Sequence, residues 1–185
     1  MLKPDYPLKT DRLILRPFAP SDLDALYDLQ SRPEVTRYLL FDTRDRDAVE
    51  ESLEQKTRAA ALTEEGGNLS LAVELAETGQ MIGDVILFWL SRERRQGEVG
   101  YIFHPDHGGR GYATEAARVM LRLGFEDLGL RRIIGRIDAR NTASARVLER
   151  LGMRREAHFV ENEFVKGEWA DEVVYAMLER EWRAG

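Results

Sequence analysis

The chain has 185 residues, of which 43% are hydrophobic and 32% charged, with a net charge of −6 and no cysteine. The length predicts one domain that buries roughly 70% of its unfolded surface. The acidic balance argues against a nucleic-acid partner, and the absence of cysteine excludes disulfides, thiolate metal sites and a cysteine nucleophile. No apolar run approaches the about 20 residues that cross a bilayer, and the first residues hold no apolar signal core, so we expect a cytoplasmic protein that does not enter membranes.

The first third of the chain predicts a strand and two helices. Leucines alternate with other residues in LKTDRLILRPF, which predicts a strand that ends at its proline. PSDLDALYDLQ predicts a helix with Ser21 as its N-cap. RDAVEESLEQKTRAAAL predicts a second helix with Val49, Leu53 and Ala60 on its buried side.

The middle of the chain predicts three strands in succession. NLSLAVEL and MIGDVILFWL, separated by the turn ETGQ, predict a hairpin of two buried strands. EVGYIFHP predicts a third strand that ends at Pro105. Gly100 inside this strand indicates either a bulge or the close approach of a neighbouring group.

The last third of the chain alternates helices and strands. ATEAARVMLRLGFEDLGL predicts a helix, RRIIGRID a strand, and TASARVLERLG a short helix that ends at Gly152. MRREAHFVENEFV and DEVVYAMLEREW predict a long hairpin around the turn KG. The complete order, β-α-α-β-β-β-α-β-α-β-β, predicts a single α+β (mixed α/β) domain over residues 1–185, with helices flanking one sheet.

The segment HPDHGGRGYATEA joins the third central strand to the following helix and has three glycines in four positions. A helix start offers unpaired N–H groups, and glycine lets the backbone approach an anion closely, so this segment is a candidate phosphate site. It matches neither the P-loop nor the dinucleotide-binding pattern, and a surface turn without a ligand is an equal alternative. His104 and His107 are expected to be loop residues that face water, with no metal site.

GGRGYATEA resembles the pyrophosphate-binding motif of the GNAT superfamily of N-acetyltransferases, with Gly111 and Ala113 at its last two marked positions. TDRLILRPFAPSD, RPEVTRYL, EVGYIFHP, RIDARNTASARVLERLGM and WADEVVYAMLEREW follow the order of its Rim-type branch (RimJ/RimL-like), named for enzymes that acetylate the N-termini of ribosomal proteins. The resemblance covers nearly the whole chain. It implies the GNAT fold, in which a mostly antiparallel central sheet is splayed between the strand of residues 98–103 and that of residues 133–137.

The resemblance also implies acetyl-CoA as co-substrate, bound without a metal. Backbone groups of Ile102 and Phe103 are expected to hold the pantetheine or acetyl group, and the Asn141 amide a pantetheine carbonyl. The branch usually has tryptophan at the position of Gly108, so this loop is expected to be more flexible than in its relatives. The residues whose amides are expected to cradle the diphosphate are Gly109, Arg110, Gly111, Tyr112 and Ala113.

Direct attack of an amine on a thioester requires neither a metal nor an enzyme nucleophile. Glu98 is our candidate base, and Asp138, at the end of the neighbouring predicted strand, is a second candidate carboxylate. The alternative for Glu98 is a surface carboxylate without a catalytic role, and the alternative for Asp138 is a cap of the turn at Asn141. The resemblance implies Ser144 as the proton donor to the departing thiolate, because the tyrosine that many other members use falls at Leu148. A small residue packed against the cofactor is the alternative for Ser144.

Tyr38 and Trp89 are candidate contacts for the acceptor, with a place in the core as the alternative for both. The favoured function is acetyl transfer from acetyl-CoA to a primary amine by direct attack in a ternary complex, the acceptor being a protein N-terminal amine. Two alternatives stay open at this point: acetylation of a small-molecule amine such as a polyamine or an amino-bearing antibiotic, and a non-catalytic acyl-CoA sensor. The resemblance also leaves a homodimer open.

Overall fold

The predicted order of strands and helices is found in the computed structural model, which describes residues 1–185. Three short elements, β1, α2 and α6, are additional. The strands are β1 (Leu8–Lys9), β2 (Leu13–Arg16), β3 (Asn68–Leu75), β4 (Met81–Ser91), β5 (Gln96–Phe103), β6 (Arg132–Asp138), β7 (Arg154–Val165) and β8 (Glu168–Leu178). The α-helices are α1 (Leu23–Gln30), α2 (Pro33–Thr36), α3 (Arg46–Arg58), α4 (Tyr112–Arg122), α5 (Thr142–Arg150) and α6 (Glu179–Trp182).

All strands form one sheet in the order β1-β2-β3-β4-β5-β6-β8-β7. Neighbouring strands are antiparallel except β5 and β6, which run parallel. These two strands pair only from Gln96 and Arg132 to Glu98 and Ile134, although both continue for several residues beyond. Past the last pair they separate, which confirms the predicted splay of a mostly antiparallel sheet. We call the space between residues 99–103 of β5 and residues 135–138 of β6 the fork.

The two faces of the sheet differ in character. Side chains alternate between the faces along each strand, and one face packs against α4 and α5 in a core cluster of 26 buried residues. The other face, under α1 and α3, has a buried apolar cluster of only five residues. Since each fully buried aliphatic side chain contributes about 1.5–3 kcal/mol, the α4–α5 face carries most of the stability. The α1–α3 face is left with polar residues and room for cavities.

Local predictions about helix ends were partly wrong. Ser21 is not the N-cap of the first helix, because a 3-10 turn over Pro20–Asp22 precedes α1. Asp22 occupies the N-cap position of α1, but its side chain accepts no N–H of that helix and instead accepts the Ala19 N–H at the start of the 3-10 turn, at 2.8 Å. Ala60 lies beyond the end of α3, whereas Gly152 ends α5 in the left-handed region at φ 86°, as predicted.

Gly100 does not mark a bulge. The pairing of β4 with β5 is continuous at this glycine, and its one register shift lies between Trp89 and Ser91. A Cβ atom on Gly100 would lie 2.9 Å from Cγ2 of Ile86, closer than real contacts allow. The glycine therefore makes room for the side chain of Ile86, and the splay follows from the end of pairing between β5 and β6.

No helix of the protein is long and apolar enough to span a membrane. The location of the protein in the cell stays a prediction.

Candidate active site

Six consecutive backbone N–H groups, from residue 109 to residue 114, have no acceptor within the protein. Gly109 and Gly111 adopt φ of 74° and 82°, which places both in the left-handed region that favours glycine. α4 begins directly after them, and its first backbone bond runs from Glu115 to Gly111 at 3.0 Å. The loop thus presents a row of free donors at the positive end of a helix, an arrangement suited to an anion.

Side-chain hydrogen bonds tie the glycine loop to the segment before β2, and the flexibility expected from Gly108 stays a prediction. The Arg12 guanidinium donates to the carbonyl of Arg110 at 2.9 Å and to Glu115 at 2.8 Å. Thr10 donates to the same carboxylate at 2.6 Å. Although burial alone would raise it, the hydrogen bonds from Thr10 and Arg12 lower the pKa of Glu115, so the carboxylate stays charged and the ties hold at neutral pH.

A groove of about 450 Å³, the loop groove, leads from the glycine loop to the fork. Its walls come from the end of β5, the start of α4 and the start of α5. Arg146 and Arg150 of α5 line it and add positive charge. Arg140 does not, because its guanidinium is paired with Asp138 and Glu168.

The alternation of hydrogen bonds along β5 determines which of its residues direct their backbone N–H and C=O groups into the fork. His104 donates to Ile82 of β4 at 2.8 Å, while the Arg95 carbonyl accepts from residues beside β6. Successive residues of a strand turn their backbone groups to opposite edges. The odd-numbered residues Tyr101 and Phe103 therefore face the fork. The contact of Phe103 with the pantetheine stays a prediction, whereas the backbone groups of Ile102 belong to the ladder with β4, which contradicts the prediction for this residue.

Asn141 and Ser144 lie at the start of α5, at the other wall of the fork. The Asn141 Oδ1 accepts the Ser144 N–H at 3.0 Å, so Asn141 is the N-cap of the helix. Its Nδ2 group makes no hydrogen bond in the protein and is free to donate. Both residues line the loop groove, and the roles assigned to them stay predictions.

Tyr101 is a residue that the sequence reasoning did not single out. Its hydroxyl donates to the Ser144 carbonyl at 3.0 Å, which ties β5 to the first turn of α5 across the fork. Burial raises the pKa of Tyr101 above its ordinary value, so the phenol stays protonated. The sequence EVGYIFHP already indicated this position, because residues two apart in a strand lie on the same face and Tyr101 therefore shares the buried face of Val99.

The three carboxylates near β6 are in different states. Glu98 is bound through Oε2 by the Arg136 guanidinium, with a shortest distance of 2.8 Å. Hydrogen bonds from Arg140 lower the pKa of Asp138, which leaves that carboxylate a turn cap and a weak base. Burial raises the pKa of Glu172 on β8, against the attraction of Arg136. Glu172 has no ion-pair partner and was also missed from the sequence.

A second space of about 450 Å³, the sheet cavity, lies on the α1–α3 face. Tyr38 lines it, and its contact with the acceptor stays a prediction. Trp89 does not: it is 6% exposed within the core on the opposite face, and its neighbour Phe88 lines the cavity instead. The residues that line both the sheet cavity and the loop groove are Tyr38, Leu39, Tyr101, Ile102, Asn141 and Ser144. The two spaces thus meet at the fork.

The far end of the sheet cavity is polar although it is buried. Asp84 of β4 is 2% exposed and Gln30 of α1 is 1% exposed. The Lys56 ammonium lies 2.9 Å from the Asp84 carboxylate and donates to Ser70 at 3.3 Å. Asp84 is a charged residue within the otherwise apolar strand MIGDVILFWL, and the sequence analysis did not select it as a candidate functional residue.

A third space of about 190 Å³, the acidic cavity, adjoins the sheet cavity at Tyr38 and Arg136. Six carboxylates and four cationic side chains line it. Its carboxylates are Glu98, Asp138, Glu163, Glu168, Asp171 and Glu172. This wall has an excess of negative charge next to the fork.

The loop histidines do not face water as predicted. The side chain of His104 is 14% exposed, with Nε2 3.0 Å from Oδ2 of Asp28, which links the end of β5 to α1. Burial and the nearby Arg110 lower the pKa of His107, so this ring is neutral at neutral pH. No group of three or more histidine, aspartate or glutamate side chains is arranged to hold a metal ion.

Known proteins match this chain along nearly its whole length. The uncharacterized N-acetyltransferase YnaD of Bacillus subtilis (strain 168) is 33% identical over 179 residues, which cover 95% of this chain and 98% of that protein. The crystal structure of an acetyltransferase (GNAT family) from Bacillus anthracis has a TM-score of 0.85 at 30% identity, covering 94% of this chain and 99% of that one.

Two more distant matches have names that refer to an acceptor. The putative ribosomal N-acetyltransferase YdaF of Bacillus subtilis (strain 168) is 27% identical and covers 93% of this chain and 94% of that protein. A spermidine N-acetyltransferase from Vibrio cholerae, solved in complex with CoA and spermine, has a TM-score of 0.78 at 24% identity. It covers 94% of this chain and 99% of that one, and the likeness shows the fold alone.

The family model of the acetyltransferase (GNAT) domain matches residues 12–154. This span contains the glycine loop, both edges of the fork and the start of α5, where the free amides and the two joined spaces are found. Members of this family use acetyl-CoA to acetylate amines. The chain therefore belongs to the GNAT family and is an acetyltransferase.

Proposed function

We propose that the protein transfers the acetyl group of acetyl-CoA to a primary amine by direct attack in a ternary complex. The observation that carries this proposal is the meeting of the loop groove and the sheet cavity at Tyr101, Asn141 and Ser144. A thioester that reaches the fork along the groove meets there an amine that enters from the cavity side. Holding both reactants there replaces a bimolecular encounter by a positioned one, which lowers the entropic part of the barrier to attack.

The free amides of residues 109–114 support binding of the CoA diphosphate. Each charge-assisted bond from an amide contributes about 1.5–3 kcal/mol. Asn141 Nδ2 and the backbone groups of Tyr101 and Phe103 then hold the pantetheine arm along the fork, in place of the predicted Ile102. Arg146 and Arg150 suit the phosphate on the adenosine ribose.

Acetyl-CoA supplies an acetyl group activated as a thioester, and the protein's residues manage two protons. The amine must be neutral to attack, and Glu98 accepts its proton through water, with Oε1 free of the Arg136 pair. The departing thiolate takes a proton from Ser144, whose hydroxyl is reprotonated from water, and Glu98 returns its proton to the solvent. Tyr101 lies at the same place with its hydroxyl proton directed to the Ser144 carbonyl, so we assign it the role of positioning the first turn of α5.

A protein N-terminal amine is the acceptor that we favour, as in the Rim-type branch. The motifs along the chain support this assignment, and so does the putative ribosomal N-acetyltransferase among its relatives. An N-terminal amine has a pKa near ~8, so a useful fraction is neutral at pH 7 without a strong base. Glu98, held against a guanidinium, fits this modest demand.

A polyamine or another small cationic amine is the second candidate acceptor. The acidic cavity favours it, because six carboxylates face four cations beside the fork. A spermidine N-acetyltransferase that was solved with spermine shares the fold. In this case Glu98, Glu163 and Glu172 attract the distal ammonium groups.

Release of free CoA measures the proposed activity directly. The protein has no cysteine, so a thiol reagent detects only the CoA released. We expect release with acetyl-CoA and a peptide that has a free N-terminus, and none with the same peptide blocked by acetylation; spermidine tests the second candidate. Calorimetric binding of acetyl-CoA without amine-dependent release would indicate a sensor. Absence of any CoA binding would overturn the proposal.

A further inference from the structure

We propose that the far end of the sheet cavity binds a carboxylate of the acceptor, through Arg44 and Lys56. The acceptor is then a primary amine that carries a carboxylate some distance from the reacting nitrogen. This inference rests on the proposed function, because the amine must lie at the fork for the carboxylate to lie at this end.

The charge of the sheet cavity is the first argument. Its charged lining residues are the three cations Arg44, Lys56 and Arg136 and the single anion Asp84. Arg136 is neutralised by Glu98 and Lys56 by Asp84. Arg44 forms no ion pair: its guanidinium donates to Gln30 Oε1 at 3.0 Å and lies 4.0 Å from the centre of the Phe41 ring. The uncompensated positive charge among the residues that line the cavity is therefore that of Arg44.

Arg44 is held in place before any ligand arrives. Gln30 is 1% exposed and binds Arg44 twice, through its side chain and through its carbonyl, which accepts the Arg44 N–H at 3.1 Å. Phe41 covers one face of the guanidinium. A side chain fixed in this way loses little conformational freedom when an anion binds. A guanidinium has five donors, and only one of them is used here.

Lys56 lines the same cavity and has donors to spare. Its ammonium has three N–H groups: one donates to Ser70, and the ammonium also forms an ion pair with the Asp84 carboxylate at 2.9 Å. The Asp84 carboxylate has no other partner in the protein. Asp84 thus holds the Lys56 ammonium at the buried, polar part of the cavity.

The register of the sheet gives the separation between amine and carboxylate. Gly100 at the fork lies opposite Ile86 of β4, and Ile86 lies opposite Ser70 of β3, which binds Lys56. Two strand spacings amount to about 10 Å. An α-carboxylate is too close to its own amine to span this distance. An ω-amino acid spans it, and so does an acidic side chain near a free peptide N-terminus.

A matched set of acceptors tests the inference. We would compare ε-aminocaproate with its amide, ε-aminocaproamide, and with the diamine cadaverine, measuring kcat/KM by release of free CoA. We expect the carboxylate to be preferred over the amide by about tenfold to a hundredfold, the range of one charge-assisted hydrogen bond. Glycine and its amide, in which the carboxylate is too near, are expected to show no such preference.

Variants assign the preference to the proposed residues. Arg44→Gln is expected to reduce the ratio of carboxylate to amide at least tenfold, and a ratio taken within one variant is insensitive to partial unfolding. Asp84→Asn leaves Lys56 uncompensated and is expected to raise the ratio. Arg46→Gln is the control: Arg46 is exposed, pairs with Asp24 and lines neither the sheet cavity, the loop groove nor the acidic cavity, so both rates and their ratio should match the wild type.

A second pair of substrates distinguishes the two kinds of acceptor that could supply the carboxylate, a peptide with an acidic residue near its N-terminus and a free ω-amino acid. Hexapeptides with Asp or Asn as their second residue test an acidic peptide N-terminus, and ε-aminocaproate tests a free amino acid. Calorimetry of the same ligands with the CoA-bound protein gives a readout without turnover. Turnover with equal rates for carboxylate and amide would overturn the inference and leave the proposed function intact, as would a preference for cadaverine. Failure to bind CoA would overturn the proposed function, and carboxylate binding without regard to Arg44 would overturn the inference alone.

Discussion

Substitution of Gly111 tests whether the free amides of the glycine loop bind CoA. At φ 82° an alanine costs about 1–2 kcal/mol because its Cβ crowds the backbone in the left-handed region. A Cβ atom there meets only Arg12 Nη2, at an ordinary 3.6 Å, so the penalty comes from the backbone alone. Gly111→Ala relieves the strain by turning the peptide groups that precede and follow residue 111. One or two amide bonds to the diphosphate are then lost, at about 1.5–3 kcal/mol each.

The hairpin glycine Gly79 supplies the control. It has φ 70° and open space around its Cβ position, far from the loop groove in the turn between β3 and β4. Gly79→Ala is expected to cost the same free energy of unfolding, seen as a fall in Tm of about 2–4 °C per kcal/mol. Its affinity for CoA should not change. For Gly111→Ala we expect the Kd measured by calorimetry to rise at least about tenfold.

Two results would refute this reasoning. If both variants lost the same stability and bound CoA as the wild type does, the free amides would not be the anion site. If Gly79→Ala weakened CoA binding as much as Gly111→Ala, the loss would reflect general destabilisation rather than the geometry of the loop.

Three further predictions concern the proton donor, the acid response and the corrected core residue. Ser144→Ala should lower kcat about 10²-fold with little change in acetyl-CoA affinity. Tyr101→Phe should mainly lower the free energy of unfolding, by about 0.5–1.5 kcal/mol. Equal kcat values for Ser144→Ala and the wild type would exclude Ser144 as the proton donor. Although burial alone would raise the pKa of Asp22, hydrogen bonds from Arg16 and the Ala19 N–H lower it. The contribution of Asp22 to the free energy of unfolding is therefore present above its unfolded pKa of about 4 and is lost as pH falls below that value. Urea unfolding at several pH values should show a shallower decline of stability with acid in Asp22→Asn than in the wild type. Trp89→Ala should cost about 3–5 kcal/mol and Phe88→Ala should instead raise the acceptor KM; the reverse pattern would restore Trp89 to the acceptor site.

The order of elements followed from the sequence because alternation, prolines and glycines are local signals. The positions of side chains relative to the fork did not follow, because a period of two fixes which residues share a face only after one residue has been anchored. Ile102 and Trp89 were each assigned one residue away from the position that the structure gives, at Tyr101 and Phe88. Both errors are shifts of one position in a correctly predicted strand.

The cavities depend on contacts that no local pattern encodes. Arg44 reaches its place through Gln30, which is 14 residues away in the chain. Lys56 on α3 meets Asp84 on β4 only when the helix crosses the sheet. The charge of Asp84 within an apolar strand was visible in the sequence, but its partner was not.

The buried pair of Asp84 and Lys56 is difficult to explain as a device for stability. Removing two charges from water costs several kcal/mol per ion, and apolar residues of similar volume usually serve a core as well or better. The α4–α5 face of the same sheet is built in that apolar way. Charges are retained on the α1–α3 face where the fork opens into a cavity, at the distance of two strands from the reacting position. Their place in the sheet is therefore better explained by what they bind than by what they hold together.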